Sequence, residues 1–272
     1  MAERHLTFKD ATMLSMYVDD QEESDYRIQV DDRVRYISVK PNVYDYSDIL
    51  CFPPLLIDNL PPFPAGDWTT MTVDRDSHGA LTRSMSFAPL AAVTSIWHPR
   101  MVDILSLKRV KRFNVRTYEV EWEGNKTAVA KIARFEFEIP QVERETQIYR
   151  ALSTTGTPTW APAFLGHLVE NGGVMGLLVE KMEGRRAGIE DYKACEEVVR
   201  KLHKTGLIHG DLNRYNFLVD ELTGMEERKV RVTLIDFENA RLYDERTAMK
   251  ELGGLPDQLS EETGRGGPAV PM

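Results

Sequence analysis

Five polar residues between positions 131 and 236 have types and spacings that could act together. They are Lys131, Glu145, Asp211, Asn216 and Asp236. An ammonium group attracts anions, and carboxylate and amide oxygens are the ligands that Mg²⁺ prefers in proteins. Each residue alone has an ordinary structural explanation, because a strand lysine is usually exposed and an aspartate before leucine usually caps a turn. The five together are harder to explain in that way, so we interpret them as one site.

Glu145 lies on a predicted helix whose apolar face it interrupts. Pro140 is a good first residue for a helix over 140–152. At about 100° per residue, one stripe of this helix holds Val142, Ile148, Tyr149 and Leu152. Glu145 falls in the middle of that stripe, whereas Glu143 falls on the opposite face. Because an unpaired buried carboxylate is unfavourable, Glu145 needs a cationic partner.

The other predicted elements form an α+β order, with no alternating β-α units. Strands are predicted at 102–110, 117–122, 127–132, 176–180, 217–219 and 230–235, with turns at 123–125 and 221–229. A second helix over 190–205 ends before Gly206, and its apolar stripe includes Cys195. Lys131 then lies within the third strand, and Asp236 follows the last one. The position of Cys195 favours a core residue over a nucleophile.

The first 100 residues have a different character from the remainder. They hold nine Lys and Arg against fifteen Asp and Glu, so they carry most of the formal net charge of −9. Residues 25–40 alternate apolar and polar side chains around Asp31-Asp32, which predicts a β-hairpin. Residues 52–66 contain five prolines, which predicts a connector packed on a surface and no core element, and its leucines and phenylalanines suggest that it docks against another part of the protein.

The composition excludes some classes of protein. With 42% hydrophobic residues, the chain of 272 residues can bury a core and is not disordered throughout. The acid excess argues against general nucleic-acid binding. The uncharged stretch 84–97 is too short to span a membrane, and the charged N-terminus has no apolar secretory core. Two cysteines make no disulfide framework, so we expect a soluble protein in the cytoplasm.

Within residues 102–245, the longer strings resemble the protein-kinase-like superfamily. HGDLNRYN is similar to a catalytic loop, IDFE to the metal-binding segment that is usually DFG, and VAK with Glu145 to the strand lysine and its helix partner. The residue directly before Asp211 is glycine, not arginine. In this respect the loop resembles those of aminoglycoside phosphotransferases, RIO-like atypical kinases and lipopolysaccharide kinases more than those of regulated Ser/Thr kinases. EKMEGRRAG and HGDLNRYNFLVD also look like strings of fungal kinase-like proteins.

The resemblance implies a role for each of the five polar residues. Asp211 would be catalytic by orienting an acceptor hydroxyl and taking its proton. Lys131 and Glu145 would also be catalytic, since Lys131 would hold the α- and β-phosphates of ATP and Glu145 would fix Lys131. Asn216 and Asp236 would bind Mg²⁺. The expected cofactors are therefore ATP and Mg²⁺.

The resemblance also implies further contacts to the nucleotide and to the loops around it. The strand that ends at Glu180 resembles a hinge, so the backbone from Glu180 to Met182 would bind adenine. The turn after the first strand has no glycine, so Lys111, Arg112 or Arg116 would replace a glycine-rich loop with point charges. His209 would be structural, with its ring bonded to the backbone near Asp236.

Several departures from the kinase pattern leave two functions open. Position 238 is Glu in place of Gly, which adds an acid beside the metal ligands, and only 36 residues follow Asp236. One hypothesis is an ATP- and Mg²⁺-dependent phosphotransferase, acting on a hydroxyl of a small molecule or a specific protein. The alternative is a pseudokinase, a nucleotide-binding or scaffold module with little or no turnover.

The expected fold is bilobal and protein-kinase-like, with three parts along the chain. Residues 1–100 would be an acidic N-terminal extension, mostly β-strands and loops. Residues 101–183 would be the N-lobe with the hinge, and residues 184–272 a minimal C-lobe. The short C-lobe leaves little room for peptide-docking helices, and the sequence does not name the acceptor.

Overall fold

The protein divides into two compact units in a computed structural model that describes residues 5–7, 9–154, 156, 158–222 and 229–264. The first unit holds the chain as far as Ala92, together with Arg134–Glu136 and Glu170–Gly173. The second holds Val93–Ala133, Phe137–Val169 and the chain from Val174 onward. The further division at residue 183 into two lobes stays a prediction.

The first unit is built on a five-stranded sheet in the order β1-β2-β3-β4-β5. The strands are β1 Ala11–Tyr17, β2 Ser24–Val30, β3 Arg33–Val39, β4 Thr70–Arg75 and β5 Leu81–Ser86. Strands β3 and β4 are parallel, and the other neighbours are antiparallel. The predicted hairpin is confirmed as β2 and β3, and Asp31 takes the left-handed conformation at the turn, with φ 55°.

The proline-rich segment contributes to the core of the first unit, so the prediction that it is no core element was wrong. It forms the short helix α1, Pro53–Asn59, in which Leu56 and Ile57 are buried. Prolines are tolerated in a first helical turn because its N–H groups have no partner within the helix. Farther along, Phe63 packs edge-on against buried Trp68, with ring centroids 5.4 Å apart.

The second unit, apart from Glu170 and Gly173 at two strand ends, contains a six-stranded sheet in the order β6-β10-β11-β9-β8-β7. Its strands are β6 Met101–Asp103, β7 Arg109–Arg112, β8 Thr117–Trp122, β9 Lys126–Ile132, β10 Phe164–Glu170 and β11 Gly173–Glu180. Strands β8 and β9 match their predicted positions. The predicted strand 102–110 is instead two strands, because the Asp103 carboxylate accepts the Leu105 N–H and starts a 3₁₀ turn.

Strand β10 was not predicted, although the sequence carries a signal for it. Asn171 and Gly172 join β10 to β11, with φ values of 48° and 84°. Asn-Gly between two apolar runs is a strong indicator of a β-hairpin, because both residues tolerate positive φ. The strand predicted at 176–180 is therefore the second half of a longer hairpin.

Among the described residues, three α-helices and five further strands complete the second unit. The helices are α2 Ile139–Ser153, α3 Tyr192–Lys204 and α4 Glu245–Leu259. The strands are β12 Arg185–Arg186, β13 Leu207–Ile208, β14 Phe217–Leu222, β15 Lys229–Leu234 and β16 Arg241–Leu242. Helices α2 and α3 confirm the two predictions, and α4 was not predicted. Of the predicted turn 221–229, residues 223–228 lie outside the described residues.

These elements confirm the predicted α+β class. Cys195 is fully buried on α3, where burial raises the pKa of its thiol to about 12, so it is a core residue. Among the residues that the structure describes, no helix has both the length and the apolar character needed to cross a membrane.

Candidate active site

Lys131 contacts two carboxylates that come from distant parts of the chain. Strand β9 holds it between β8 and β11, where it pairs with Thr117 and Leu177. Its Nζ lies 2.8 and 2.9 Å from the two carboxylate oxygens of Glu145 and 2.6 Å from Oδ1 of Asp236. The sequence predicted the pair with Glu145, and the contact with Asp236 brings a third site residue to the same point.

Burial and charge act against each other in this cluster. Burial disfavours the charged form of Lys131, but the charges of Glu145 and Asp236 outweigh it and raise the lysine pKa. Glu145 is 2% exposed, and burial raises its pKa even though Lys131 opposes the shift. Burial also acts to raise the pKa of Asp236, but the Lys131 charge outweighs it and lowers that pKa. Asp236 is therefore the carboxylate that stays ionised most readily.

Asp236 is held in an unusual backbone conformation. Its φ and ψ are both 70°, a left-handed conformation that costs a residue with a Cβ about 1 kcal/mol or more. The next residue, Phe237, is buried with its ring 5.5 Å from the rings of Tyr149 and His209. The Phe237 N–H also donates to Oε1 of Glu145 at 3.3 Å. Packing and hydrogen bonds thus fix the segment in which Asp236 lies.

His209 supports the same segment, as predicted. It is fully buried, which lowers its pKa, so its ring is neutral at pH 7. Its Nε2 lies 3.0 Å from the carbonyl oxygen of Ile235, and a carbonyl can only accept, so Nε2 carries the proton. A proton held in this way makes His209 structural.

The predicted catalytic loop brings Asn216 next to both aspartates. The Asn216 side-chain Nδ2 donates to the backbone carbonyl of Asp211 at 2.9 Å. The backbone carbonyl of Asn216 accepts the backbone N–H of Ile235, the residue before Asp236, at 2.9 Å. Asp211 itself is exposed, so its carboxylate is accessible. Asn213 adds a longer bond of 3.4 Å to the Asp211 carbonyl.

Glu238 joins the acidic cluster. One carboxylate oxygen from each of Glu145, Asp236 and Glu238 lies within 4.8 Å of the others. Oε2 of Glu238 also accepts from Arg116 at 2.8 Å, and its backbone carbonyl accepts from Arg144 at 2.9 Å. The sequence indicated an acid here but not its contacts with Arg116 and Arg144.

The structure separates two of the three cations expected to contact phosphates, Arg116 and Lys111. Arg116, in the turn between β7 and β8, donates to Glu238 and also to Oε1 of Gln141 at 2.7 Å. Lys111 is exposed on β7, with its Nζ 5.6 Å from the centre of the Phe113 ring. Arg116 therefore reaches the acidic cluster, whereas the contact of Lys111 lies within its own strand and turn.

The predicted hinge follows β11. The Glu180 N–H donates to the carbonyl of Ala163 at 2.8 Å, and its carboxylate accepts the Ala163 N–H at 3.4 Å. Lys181 bonds Glu119 and Glu183, at 3.0 and 2.7 Å. Met182 follows, partly buried. Bonds from Glu180 and Lys181 thus hold the chain just before Met182.

A family comparison agrees with this arrangement. The sequence model of the lipopolysaccharide kinase (Kdo/WaaP) family matches residues 109–263, which is more than half of the chain. The chain belongs to the lipopolysaccharide kinase (Kdo/WaaP) family. The predicted membership of the protein-kinase-like superfamily is therefore confirmed. The matched range includes Lys131, Asp211 and Asp236, and it extends past the end of α4.

Other comparisons add little detail. One solved structure that matches is that of the Cydia pomonella granulovirus kinase PK-1, with 13% identity and a TM-score of 0.42. That match covers 58% of this chain and 71% of the viral chain. No curated protein sequence matches this chain significantly.

Proposed function

We propose that the protein is an ATP- and Mg²⁺-dependent phosphotransferase that moves the γ-phosphate to an acceptor hydroxyl. The observation that carries the proposal is the contact of Lys131 with both Glu145 and Asp236. Phosphoryl transfer depends on positioning and charge neutralisation more than on covalent chemistry. A partly buried lysine fixed by a helix acid, beside an aspartate that follows a strand, supplies both.

Lys131 would contact the α- and β-phosphates of ATP. Glu145 keeps the ammonium in place, and the raised lysine pKa keeps it charged at neutral pH. A phosphate oxygen would compete with Asp236 for the ammonium, because both are anionic acceptors. Glu145, which is more deeply buried than Asp236, would remain the fixed partner.

Asp211 would orient the acceptor hydroxyl and take its proton. Its carboxylate is accessible, while its backbone carbonyl is fixed by the amide of Asn216. A candidate base must reach the proton that it removes, and a rigid backbone beside an accessible side chain meets that need.

Asp236 and Asn216 are the proposed ligands of Mg²⁺. Bound there, the ion would neutralise charge on the phosphates as it builds up. The donor set fits, because Mg²⁺ takes oxygen ligands and Asp236 keeps a lowered pKa. The Nδ2 of Asn216 is used on the Asp211 carbonyl, so its amide oxygen is the ligand atom. Glu238 supplies a third oxygen beside Asp236.

Arg116 is the proposed substitute for a glycine-rich loop. It lies in the turn where backbone N–H groups would otherwise approach the phosphates, and its partner Glu238 belongs to the acidic cluster. Lys111, exposed on β7, would add a second positive charge. Adenine would lie against the backbone from Glu180 to Met182.

The acceptor is proposed to be a small molecule or one specific protein. Asp211 is exposed, so the hydroxyl of such an acceptor can reach its carboxylate. A screen of candidate hydroxyl acceptors with labelled ATP tests this proposal. Label transfer should be lost in Asp211→Asn, and transfer that persists in this variant would place the chemistry elsewhere.

A pseudokinase remains the second candidate, favoured by the contact between Arg116 and Glu238. This ion pair already neutralises the cation that would replace a glycine-rich loop. Thermal stability with ATP, with and without Mg²⁺, separates the two functions when ADP release is followed alongside. For an active enzyme, we expect a metal-dependent rise in Tm together with release of ADP. For a pseudokinase, we expect no release of ADP, whether or not the Tm rises.

A further inference from the structure

The 93–98 segment, at the start of the second unit, is bonded to two strands of the six-stranded sheet. The Val93 N–H donates to a backbone carbonyl of β11 at 2.8 Å. The N–H groups of Trp97 and His98 both donate to Nε2 of His167 on β10, each at 3.2 Å. His167 is fully buried, and its Nε2 carries no proton because it accepts these bonds.

The same segment is also bonded to α2, the helix that carries Glu145. Oε2 of Glu143 accepts the N–H groups of Thr94 and Ser95, at 2.6 and 3.3 Å, and it accepts from the Thr94 hydroxyl at 3.3 Å. Two residues are about 200° apart around a helix, so Glu143 and Glu145 lie on opposite faces. The segment therefore holds α2 on the face opposite the contact with Lys131.

Hydrogen bonds keep the Glu143 carboxylate charged. Burial acts to raise its pKa, but the bonds from Ser95, Thr94 and Gln147 outweigh it and lower the pKa. A charged acceptor binds N–H groups about twice as strongly as a neutral one. The side chain of Gln147, one turn farther along α2, donates to Oε1 of Glu143 at 2.8 Å, which leaves Oε2 directed at the segment.

Trp97 holds α2 at a second point, directly beside Glu145 in the chain. Its indole Nε1 donates to the backbone carbonyl of Thr146 at 3.1 Å. Its ring lies 4.6 Å from the ring of Phe164 on β10, and the Phe164 ring lies 5.7 Å from that of Tyr149 on α2. Polar and aromatic contacts thus act together at this point.

Glu145 can reach Lys131 only if α2 keeps its place against the sheet. Lys131 belongs to β9, and the 93–98 segment is bonded to β10 and β11 of the same sheet. The Glu145 oxygens lie 2.8 and 2.9 Å from the lysine Nζ, and a misplacement of about 1 Å in a site can cost about a hundredfold in rate. The segment therefore links α2 to the sheet that holds Lys131.

We propose that Glu143 and Trp97 are positioning residues, through which the 93–98 segment ties α2 to the sheet and keeps Glu145 in contact with Lys131. The inference rests on the proposed role of Lys131 in binding ATP, and it extends the site to residues that precede the first strand of the sheet. Glu143 and Trp97 act through α2 and do not touch the nucleotide or the acceptor.

Amide hydrogen exchange tests the attachment of α2 without any need for activity. Glu143→Ala removes three bonds to the segment, so exchange over 140–152 should become about tenfold faster or more. Arg150→Ala, at an exposed position of the same helix, is the matched control and should leave this exchange nearly unchanged. Exchange as slow in Glu143→Ala as in the wild type would overturn the proposal.

Trp97→Phe provides a second variant if Glu143→Ala does not fold. It keeps an aromatic ring beside Phe164 but removes the indole N–H that bonds α2. Exchange over α2 should become about threefold faster or more. Trp122→Phe, on β8, is its control. Equal exchange over α2 in Trp97→Phe and in the wild type would show that Trp97 does not hold the helix.

The chemical reactivity of Lys131 reports directly on its contact with Glu145. An amine reacts with an acylating reagent only when it is uncharged, and the neighbouring carboxylates keep Lys131 charged. If α2 loosens in Glu143→Ala, mass spectrometry should find Lys131 acylated about threefold faster or more. Lys126, exposed on the same strand, is the internal reference. An unchanged ratio of the two rates would overturn the proposal.

A double-mutant cycle tests whether Glu143 acts through Glu145. In Glu143→Ala, kcat/KM for ATP should fall about tenfold or more. In the Glu145→Gln background, the same substitution should cause little further loss. An equal loss in both backgrounds would indicate a merely structural role and would overturn the proposal. If the wild type releases no ADP, the proposed function fails, while hydrogen exchange and acylation still decide whether the segment positions α2.

Discussion

Lys131 is the residue at which three separate elements of the proposed site meet. Strand β9 supplies the lysine, α2 supplies Glu145, and the end of β15 leads to Asp236. The sequence could predict the first pair, because helical periodicity leaves an acid on an apolar stripe that needs a cation. It could not predict that Arg116 reaches Glu238, since nothing local fixes where a long side chain ends.

Lys131→Met should destabilise the protein and abolish productive nucleotide binding. The substitution leaves Glu145 buried without its cation, which costs about 3 kcal/mol or more in the free energy of unfolding. Thermal melting and calorimetry with Mg²⁺ and ATP measure the two effects. Lys126→Met, at an exposed position of the same strand, should change neither. Wild-type affinity in Lys131→Met would exclude Lys131 from the nucleotide site.

Glu238→Gln should increase the affinity for ATP when no Mg²⁺ is present. The wild-type carboxylate competes with phosphate for Arg116 and adds negative charge near the site, so its removal should tighten binding about threefold to tenfold. Arg116→Ala should weaken binding in the same titration. If Glu238→Gln bound ATP more weakly than the wild type, Arg116 would not be a phosphate contact.

At the scale of elements, the sequence predicted the helices with regular apolar stripes and the strands bounded by clear turns. It missed α4, because Gly253, Gly254 and Pro256 argue against a helix, although Asp244 caps its first turn. The segment 52–66 was misread because its first two prolines lie in a first helical turn, where they do no harm.

Gly206 and Gly210 have similar positive φ, but an added Cβ would overlap a neighbouring atom only at Gly210. Alanine variants of the two therefore distinguish the effect of backbone strain from that of steric overlap. Gly206→Ala, at φ 81° and with no atom within 4 Å of its Cβ, should cost about 1 kcal/mol in the free energy of unfolding. Gly210→Ala adds an overlap with Asn239 and should cost clearly more. It should also lower kcat, because the loop before Asp211 must move. Equal stability and turnover in the two variants would contradict the described packing of the loop.

At the scale of the whole molecule, the chain folds into two units, and each unit is assembled from segments that are not contiguous in the sequence. The first unit includes Glu170, whose carboxylate pairs with Arg27 and accepts from the Tyr36 hydroxyl at 2.6 Å. Arg27 and Glu170 are each 1% exposed. The acid excess of the first 100 residues predicted a separate character for that part, but long-range pairing of this kind has no local signal in a sequence.

Arg27→Met should lower the stability of the first unit. It leaves the Glu170 carboxylate buried without its cation, a change that costs about 3 kcal/mol or more. Arg33→Met removes an exposed pair with Asp67 and should have little effect. Chemical denaturation followed by tryptophan fluorescence measures the difference, since Trp68 is buried in this unit. Equal stability of the two variants would show that the buried pair does not form.

The central claim is that the polar residues around Lys131 catalyse the transfer of the γ-phosphate of ATP to an acceptor. The most direct measurement is Mg²⁺-dependent release of ADP in the wild type, Asp211→Asn and Asp236→Ala, with Asp220→Asn as a control outside the site. We predict turnover in the wild type and the control, and a loss of about a hundredfold or more in the other two. ADP release that survives both substitutions, or that is lacking in the wild type with every acceptor tried, would contradict the account.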